Sequence, residues 1–341
     1  MASVEYLVNP REAQAAWTAA LGRGYQHAPF DRLEWWSALD ELCLPGEAPL
    51  LALAGEGEAR CALAMMRRPG SGQLRSLANW YSFWARPVFA DGGEALLSVL
   101  ARDLARQARR ISLSPMPEPD AARVAAAFAA AGWAVRADQI DVNHRVELAG
   151  RSFAEYWAAR PGRLRETVRR KGSKGLVKLR IAERFDAADW ADYDHVYAHS
   201  WKPDEGSPAF LRRFAQAEGK AGTLRLGLAL IEGRPVAAQL WTIEHGTAYI
   251  HKLAHVEDAK AHSPGTLLSH ALFAHAIDRD GVSTIDFGTG DDAYKRDWME
   301  AVRPMLRLDM HRPRDPRSWP HLLRNRLKGP GFPLAALHHD G

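Results

Sequence analysis

The feature that most constrains the fold is a run of three apolar segments joined by tight turns in the second half of the chain. Every second residue from Leu224 to Leu230 is leucine, which predicts a half-buried β-strand. Turn sequences at 232–235 and 245–246 separate this strand from two further apolar segments, 236–243 and 247–253. Strands joined by turns this short pair antiparallel, so the sequence predicts a three-stranded meander.

A helix and a strand are predicted after this meander. The residues Ser263-Pro264-Gly265-Thr266 favour a helix start, because serine caps helices and proline suits the first turn. The apolar helix that follows is predicted to stop at Asp280-Gly281. Beyond it the sequence predicts a strand at Ser283–Phe287, a glycine-rich segment, a short helix with Tyr294, Lys295 and Trp298, and a last strand at Met305–Met310.

The predicted helix start at 263–266 is a candidate site for an anion. The first N–H groups of a helix lack partners within the helix and carry partial positive charge. Gly265 has no side chain, so a phosphate group can approach the backbone there, and Thr266 offers a hydroxyl group. The same residues also fit an ordinary helix start capped by Ser263, so the motif alone leaves both interpretations open.

The first half of the chain predicts a mixture of helices and strands. Helices are expected at Pro10–Leu21, Asp31–Leu42 and Gly93–Arg110, and strands at Pro49–Ala54, Arg60–Met66, Ile111–Leu113 and Val142–Leu148. Prolines 115, 117 and 119 are expected to break the chain before an alanine-rich helix capped by Asp120. At about 150 residues per domain, the length predicts two domains, 1–150 and 151–312, and a loosely structured Pro- and Arg-rich tail, 313–341.

Positive charge is concentrated at the start of the second domain. A helix capped by Ser152 and extending to Ala159 is expected first, and the segment 160–184 follows it. This segment has ten Lys and Arg residues and two Glu, a balance of +8, whereas the whole chain has +4. The remainder is therefore slightly acidic. The segment is either a solvated helix or a platform for an anion, such as a lipid headgroup, an anionic polymer or the 3′-phosphate of coenzyme A.

Several classes of protein do not fit the composition. No run of 18 apolar residues predicts a membrane-spanning helix, and the first twelve residues lack a secretory signal pattern. Cys43 and Cys61 are the only cysteines, too few for a disulfide framework or a cysteine-rich zinc site. Histidine and cysteine spacings predict no metal site. We therefore expect a cytoplasmic protein, with peripheral membrane contact as an option, and the oligomeric state stays open.

The order of elements from Leu224 to Asp309 resembles the GNAT superfamily of N-acyltransferases. The strings Ser263-Pro264-Gly265 and 286–298 (DFGTGDDAYKRDW) look like the two-lobed branch of Fem-like and cellulose-biosynthesis-associated acetyltransferases. This resemblance implies an α+β fold of two tandem GNAT-like lobes, each a mostly antiparallel twisted sheet flanked by helices. The first lobe would be degenerate. One departure is that the usual pyrophosphate loop has two glycines, and 261–266 has one.

The resemblance implies an N-acyltransferase that moves an acyl group from acyl-CoA to the amine of a small-molecule, sugar or lipid acceptor of the sphingoid type. Acyl-CoA would be a co-substrate, with no permanently bound cofactor. The alternatives are a Fem-like aminoacyltransferase that uses aminoacyl-tRNA, and a non-catalytic GNAT-like binding protein. Nucleic acid is expected as a partner only in the first of these alternatives, because the chain has no recognisable nucleic-acid-binding motif.

Candidate catalytic residues follow from the chemistry of amide formation, which needs a proton acceptor, oxyanion stabilisation and a proton donor for the leaving group. The resemblance places Tyr294 near the sulfur as the general acid and Lys295 near the oxyanion. Asp286 and Asp291 flank a strand end that should open into the cleft, where either carboxylate accepts the amine proton or binds its cation. His251 lies on a neighbouring predicted strand and is a candidate base.

Candidate binding residues surround these positions. The acyl donor is expected at Ser263, Pro264, Gly265, Thr266 and Leu253. The acceptor is expected at Trp201, Lys202, Gln239, Trp241 and Arg169. For each of these residues an ordinary packing or surface role is the alternative.

Overall fold

The computed structural model describes residues 2–67 and 69–334, and these divide into two compact units. Of the described residues, the first unit contains those from 2 to 142 and from 303 to 334, and the second contains 143–302. Both boundaries lie inside long strands, whereas the sequence predicted boundaries at 150 and 312. The difference arises because these strands are longer than their apolar patterns, so the chain leaves each unit in the middle of a strand.

The first unit is a mixed α/β arrangement. Its helices are α1 (Ala15–Ala20), α2 (Leu33–Cys43), α3 (Leu96–Asp103) and α4 (Glu118–Ala130). Its strands are β1 (Ser3–Leu7), β2 (Ala48–Glu56), β3 (Ala59–Arg67), β4 (Gln73–Ser76), β5 (Val88–Ala90), β6 (Arg110–Pro117) and the first part of β7 (Ala134–Glu147). The helices predicted at 10–21 and 93–110 are shorter, because each includes short 3-10 segments.

The predicted break at the three prolines is wrong. Strand β6 continues through Pro115 and Pro117, and α4 begins directly after it at Glu118. Pro117 occupies the N-cap position, so Asp120 lies in the first turn and does not cap the helix. Its carboxylate instead forms ion pairs with Arg86 and Arg123. Pro115 is tolerated because it lies in an irregular stretch of the ladder with β13, between the paired residues Leu113 and Met116.

The second unit contains most of the remaining elements. Its helices are α5 (Phe153–Ala158), α6 (Gly162–Gly172), α7 (Ala187–Ala198), α8 (Pro208–Ala221), α9 (Pro264–Ala274) and α10 (Lys295–Trp298). Its strands are the end of β7, β8 (Val177–Ala182), β9 (Leu224–Ile231), β10 (Arg234–Glu244), β11 (Thr247–His255) and β12 (Thr284–Thr289). The predicted cap of α5 is confirmed: Ser152 and Glu155 form a reciprocal capping box.

The predicted meander is confirmed as β9–β10–β11, all antiparallel, with β8 on the outer side of β9. Strand β9 is buried on both faces and not half-buried as its alternating leucines predicted. The residues between the leucines are buried for separate reasons. Gly227 leaves room for Leu272 of α9, and Arg225 forms an ion pair with Asp280. Arg225 therefore lies between two leucines of the alternating pattern without facing solvent.

Aromatic rings form the centre of the second core. Phe273 of α9 stacks on Tyr156 of α5 and on Trp298 of α10, at ring distances of 5.4 and 4.8 Å. Trp241 of β10 meets Phe273 edge-on at 5.2 Å. The Tyr156 hydroxyl donates to the carbonyl oxygen of Trp298. This packing fixes α9 and α10 against the sheet, and both helices contribute to the site described below.

Both units repeat one order of elements. In the first, β2, β3 and β4 are antiparallel, α3 follows, and β6 pairs parallel with β4. In the second, β9, β10 and β11 are antiparallel, α9 follows, and β12 pairs parallel with β11. The predicted fold class is confirmed: each unit is a mostly antiparallel sheet flanked by helices.

The predicted tail is more ordered than its composition suggested. Strand β13 (Ala301–His311) pairs antiparallel with β6 in the first unit, and α11 (Trp319–Leu327) follows it. Phe332 and Leu334 pack against the first core. These apolar side chains anchor a segment otherwise rich in Pro and Arg. Residues 335–341 of the predicted tail lie outside the described residues.

No helix within 2–67 and 69–334 has both the length and the apolar character that crossing a bilayer requires.

A glycine in α8 gives a test of the packing in the second unit. A Cβ at Gly219 would lie 2.5 Å from the backbone nitrogen of Phe185, so Gly219→Ala forces backbone displacement. We expect the free energy of unfolding to fall by about 1–3 kcal/mol, measured by urea denaturation. Gly162→Ala is the matched control, since a Cβ there meets no atom within 4 Å. Equal stability of both variants would contradict this packing.

Candidate active site

The candidate site lies in the second unit, where two parallel strands separate. The ladder joins Thr247–Tyr249 of β11 to Thr284–Asp286 of β12, and in the described chain it does not continue to the ends of these strands. A pocket of about 300 Å³ lies beyond the ladder. Its lining consists of Trp201, Leu253, His255, Lys260, Ser263, Pro264, Gly265, Thr266, Ser269, Phe287, Tyr294 and Trp298.

A β-bulge in β11 aims two side chains into this pocket. Leu240 of β10 pairs with Lys252 and the next residue, Trp241, pairs with Ile250, so His251 is an extra residue in the strand. An extra residue reverses the alternation of side chains beyond it. Ile250 therefore packs in the core before the bulge, and Leu253 and His255 line the pocket after it.

His251, the predicted base, does not line the pocket. Its imidazole Nε2 is 2.8 Å from the Thr242 hydroxyl, and its ring meets Phe214 of α8 edge-on at 4.9 Å. Burial lowers the pKa of His251 to about 3. The structure thus places His251 on the side of the sheet that α8 covers, where its neutral imidazole packs against Phe214.

His255 is the histidine in the pocket, and the sequence analysis did not select it. Its ring lies 4.2 Å from that of Trp201. Its Nε2 atom is buried, has no hydrogen-bond partner among the described residues, and lies 4.0 Å from the Glu257 carboxylate. The pKa of His255 is lowered, mainly because the imidazole is partly buried. The imidazole is therefore neutral at pH 7 and has a nitrogen available to accept a proton.

The start of α9 also faces the pocket, with its first turn uncapped by a side chain. Ser263 occupies the N-cap position in a left-handed conformation, φ 53°, and its hydroxyl makes no capping hydrogen bond. Pro264 is in the first turn, as predicted. A Cβ on Gly265 would lie 3.6 Å from His255 Nδ1, so glycine keeps this side of the pocket open. Backbone N–H groups and the nearby Lys260 make this end suited to an anion.

Gln239 and Trp241 lie behind the helix start and not in the pocket wall. Gln239 Nε2 donates to the Gly265 carbonyl oxygen and to Ser269 Oγ, at 3.1 and 2.8 Å. Gln239 Oε1 accepts a hydrogen bond of 2.9 Å from Trp241 Nε1. Both residues are almost fully buried. They position α9 on β10, although the sequence analysis expected them to contact the acceptor.

Tyr294, the predicted general acid, lines the pocket, and 37% of its surface is exposed. Its ring meets Phe287 of β12 edge-on at 5.6 Å. Burial and the neighbouring Asp292 carboxylate raise the pKa of the Tyr294 phenol well above its usual value. The hydroxyl group therefore remains protonated throughout the physiological range.

Lys295 points into the loop before it and not into the pocket. It is only 4% exposed, and its ammonium group donates to the carbonyl oxygens of Thr289 and Gly290. The same group lies 5.4 Å from the centre of the Phe287 ring. These contacts hold the glycine-rich segment in place. A buried ammonium group needs such partners, which explains the difference from the oxyanion position that the resemblance implied.

The two predicted carboxylates do not line the pocket. Asp286 is buried and accepts hydrogen bonds from Asn143 Nδ2 and the Gly288 N–H, at 2.7 and 2.8 Å. Asp291 is exposed and interacts with Arg296 and with His144. The hydrogen bond from Arg296 is the main cause that lowers the pKa of Asp291. It does not cap α10, whose N-cap position is Tyr294.

Some side chains of the basic segment 160–184 lie on the surface, and at least one reaches the residues next to the pocket. Arg169 is exposed and forms two hydrogen bonds with Glu166 on the same helix. Lys171 instead donates a 2.6 Å hydrogen bond to the carbonyl oxygen of Ala261, just before α9. Lys202 lies 5.2 Å from the centre of the Trp201 ring. Positive charge therefore reaches the helix start from α6, though not through Arg169.

The structure brings seven of the predicted residues together around one pocket: Trp201, Leu253, Ser263, Pro264, Gly265, Thr266 and Tyr294. The additional lining residues are His255, Lys260, Ser269, Phe287 and Trp298. Ser269 had a detectable signal, since it lies one helical turn after Gly265. Within 2–67 and 69–334, no group of three or more His, Cys, Asp or Glu side chains is arranged to hold a metal ion.

The first unit has its own pocket beside its parallel strands. The ladder between β4 and β6 joins Gln73–Arg75 to Arg110–Ser112, and a cavity of about 720 Å³ lies next to it. Four serines, Gln73, Asn79, Glu47 and two arginines contribute to its lining. This lining has no counterpart of the Tyr294, Phe287 and Trp298 wall. The two repeats therefore share a topology and differ in the chemistry of their pockets.

Residues 159–296 match the family model described as an acetyltransferase (GNAT) domain. A comparison with curated protein sequences found no significant match. The matched segment lies within the second unit and contains most of the pocket. It supports assignment to the GNAT superfamily, and a GNAT domain indicates acyltransferase activity in general.

Solved structures with the same fold cover nearly the whole chain. The C-terminal domain of a putative lysylphosphatidylglycerol synthetase from Agrobacterium fabrum has a TM-score of 0.58 at 14% identity, covering 92% of this chain and 95% of its own. FemX has a TM-score of 0.58 at 12% identity, covering 89% and 96%. A tandem GNAT protein from the clavulanic acid biosynthesis pathway has a TM-score of 0.50 at 14% identity, covering 92% and 100%. At these identities the matches establish a tandem GNAT fold and leave the predicted branch undecided.

The buried imidazole of His251 should make stability depend on pH. An unfolded histidine binds a proton near pH 6.5, but the folded chain resists protonation to about pH 3, so acid favours unfolding between these values. Replacing it by His251→Gln should remove about 1.4 kcal/mol per pH unit from the dependence of unfolding free energy between pH 6 and 4. Chemical denaturation at several pH values measures this slope. His195→Gln, at an exposed position, should keep the wild-type slope, and an unchanged slope in His251→Gln would contradict the assignment.

Proposed function

We propose that the second unit is an acyl-CoA-dependent N-acyltransferase, acting on an amine of a small-molecule, sugar or lipid acceptor. The observation that carries this proposal is one pocket with three groups on its walls. These are an uncapped helix start suited to phosphate, a neutral histidine with an available nitrogen, and a protonated tyrosine. The GNAT match of residues 159–296 supports the same class of reaction.

The donor binds with its phosphates at the start of α9. The N–H groups of Gly265 and Thr266 and the ammonium group of Lys260 provide the positive end of this site. The arm of coenzyme A contains two amides, and it lies along β11 beyond Tyr249, where the ladder with β12 has ended. Backbone groups that no longer pair with β12 are suited to hydrogen bonds with those amides. The usual pyrophosphate loop has two glycines, but this arrangement needs only Gly265, because the other contacts come from the N–H of Thr266 and from Lys260.

The transfer needs two proton movements, and the pocket has a group for each. As the amine attacks the thioester carbonyl, a C–N bond forms, and His255 Nε2 accepts the proton that the nitrogen loses. The C–S bond then breaks, and the Tyr294 hydroxyl donates its proton to the leaving thiolate. The products are an amide and free coenzyme A, and passage of the proton from His255 to the Tyr294 phenolate through solvent restores both groups for the next turnover. Lys295 acts on this reaction indirectly, by holding the loop that precedes Tyr294.

The pocket favours a short acyl group. Leu253, Phe287 and Trp298 give it an apolar wall, but its volume of about 300 Å³ is at the lower end for ligand sites. Trp201 and Lys202 lie at the side where the amine acceptor enters. A long chain would need displacement of these aromatic side chains.

Ligand-dependent stability tests the donor. Acetyl-CoA at about 100 times its dissociation constant should stabilise the protein by about 2.7 kcal/mol, measured as an increase in Tm, and octanoyl- and palmitoyl-CoA should give smaller shifts at equal concentration. Lys260→Ala should reduce the shift, whereas Lys220→Ala on the exposed surface of α8 should not. If no acyl-CoA shifts the Tm, the donor assignment is wrong. A shift with aminoacyl-tRNA alone would favour the Fem-like alternative.

The rate and its pH dependence test the two proton-transfer groups. His255→Asn should lower kcat by about 10² to 10⁴, and Tyr294→Phe should lower it similarly. Because burial lowers the pKa of His255, the acid limb of kcat/KM should lie below pH 6.5, and this limb should disappear in His255→Asn. Because the pKa of Tyr294 is raised, its ionisation should cause no loss up to pH 10.

The matched control is His195→Asn, at an exposed histidine that is not part of the pocket lining, and it should retain the wild-type profile. An unchanged kcat in His255→Asn would place the base elsewhere. An unchanged kcat in Tyr294→Phe would remove its role as the acid.

A further inference from the structure

Helix α11 presents an apolar stripe to solvent. Trp319, Leu323 and Leu327 are spaced four residues apart, and 59%, 61% and 81% of their surfaces are exposed. At about 100° per residue, the three positions lie within an arc of about 80° on one side of the helix. Single exposed apolar residues are ordinary, but three in line on one short helix form a continuous ridge.

Positive charge borders this stripe on both sides. By the same geometry Arg326 lies about 20° beyond one edge of the stripe and Arg324 about 60° beyond the other. Both side chains are exposed, and no acidic side chain in the described part of the chain forms an ion pair with either. The segment 312–328 contains six Lys and Arg residues and one acidic residue, Asp315, which forms an ion pair with Arg317. Its net charge is +5, more than that of the whole chain.

The opposite side of α11 attaches the helix to the first unit. Arg136 of β7 donates to the carbonyl oxygens of Asn325 and Gly329, at 3.2 and 2.8 Å. The His321 ring stacks on His311 of β13 at 5.1 Å. Phe332, just after the helix, packs against the first core. Trp319 and Leu323 also border an open cavity between α11 and the first core, and Leu327 does not. The stripe is therefore exposed on a helix that is attached to the first unit, and not left exposed by a detached tail.

We propose that α11 is a membrane-surface helix that binds anionic lipid bilayers, with its apolar stripe among the acyl chains and its arginines at the headgroups. An exposed apolar stripe flanked by unpaired arginines is the pattern that binds an anionic bilayer interface. A nucleic acid would pair with the arginines and leave Leu323 and Leu327 in water. An apolar protein partner would cover the stripe and leave the arginines uncompensated. An anionic bilayer covers the apolar stripe and also compensates the charge of the arginines. This proposal does not rest on the proposed function of the pocket in the second unit.

Vesicle co-sedimentation of the full chain tests the proposal. The protein should bind vesicles of equal parts phosphatidylglycerol and phosphatidylcholine at least tenfold more tightly than vesicles of phosphatidylcholine alone, and added salt should weaken the binding. Leu327→Asp should reduce the affinity at least tenfold, and Leu327→Trp should increase it. Opposite effects at one highly exposed position cannot both arise from misfolding. The double variant R324Q/R326Q should weaken binding by about tenfold or more.

The matched control is R170Q/K174Q, which removes the same charge from the basic surface of the second unit and should leave vesicle binding unchanged. The proposal is wrong if vesicles bind equally with and without phosphatidylglycerol, or if neither Leu327 variant changes the affinity. It is also wrong if R170Q/K174Q abolishes binding and R324Q/R326Q does not. Binding of a duplex RNA that is lost in R324Q/R326Q but kept in Leu327→Asp, without vesicle binding, would assign the surface to nucleic acid instead.

Discussion

The side-chain amide of Gln239 joins the central strand of the second unit to the start of α9. It donates to the Gly265 carbonyl oxygen and to Ser269, and accepts from the Trp241 indole. The contacts with Ser269 and Trp241 are buried and the contact with Gly265 is partly buried. An unmade hydrogen bond at a buried polar group costs about 1–3 kcal/mol. The first turn of α9 is therefore fixed in direction, and Gly265 and Thr266 face the pocket without any capping side chain. The proposed phosphate site depends on these hydrogen bonds of Gln239, which hold the helix start on the side away from the pocket.

Three charged residues that were predicted for the site lie outside the pocket lining and stabilise the surrounding structure. Lys295 holds the loop after β12, Asp286 orders the residues that follow it, and Asp291 interacts with Arg296 and His144. Burial requires partners for Lys295 and Asp286, and a residue so partnered has little freedom to meet a substrate. His255 is different, because its Nε2 atom has no hydrogen-bond partner among the described residues. The group that the proposed proton transfer uses is therefore the neutral imidazole of His255, whose Nε2 atom makes none of these structural hydrogen bonds.

Regular patterns in the sequence were sufficient to predict the meander and the helix start at Pro264, whereas the role expected of Tyr294 was implied only by the resemblance to the GNAT superfamily. Periodicity and turn residues are local signals, and these elements are formed by local interactions. The sequence could not reveal that Arg225 pairs with Asp280, because that contact joins residues 55 positions apart. The double burial of β9 was missed for this reason. The unit boundaries were misplaced because β7 and β13 extend into both units, and apolar pattern alone does not mark where a strand changes its neighbours.

The bulge at His251 means that the identity of the pocket residues depends on how β11 pairs with β10 as well as on its composition. If the same residues paired with β10 in unbroken succession, the last four side chains of β11 would lie on the opposite sides of the sheet. Lys252 and Ala254 would then replace Leu253 and His255 at the pocket, although no residue of the pocket had been substituted. A chain that lacked residue 251 would instead keep Leu253 and His255 in place, because Ile250 and Lys252 would remain opposite Trp241 and Leu240. Two related chains with the same pocket residue types would therefore differ in chemistry if only one of them formed the bulge.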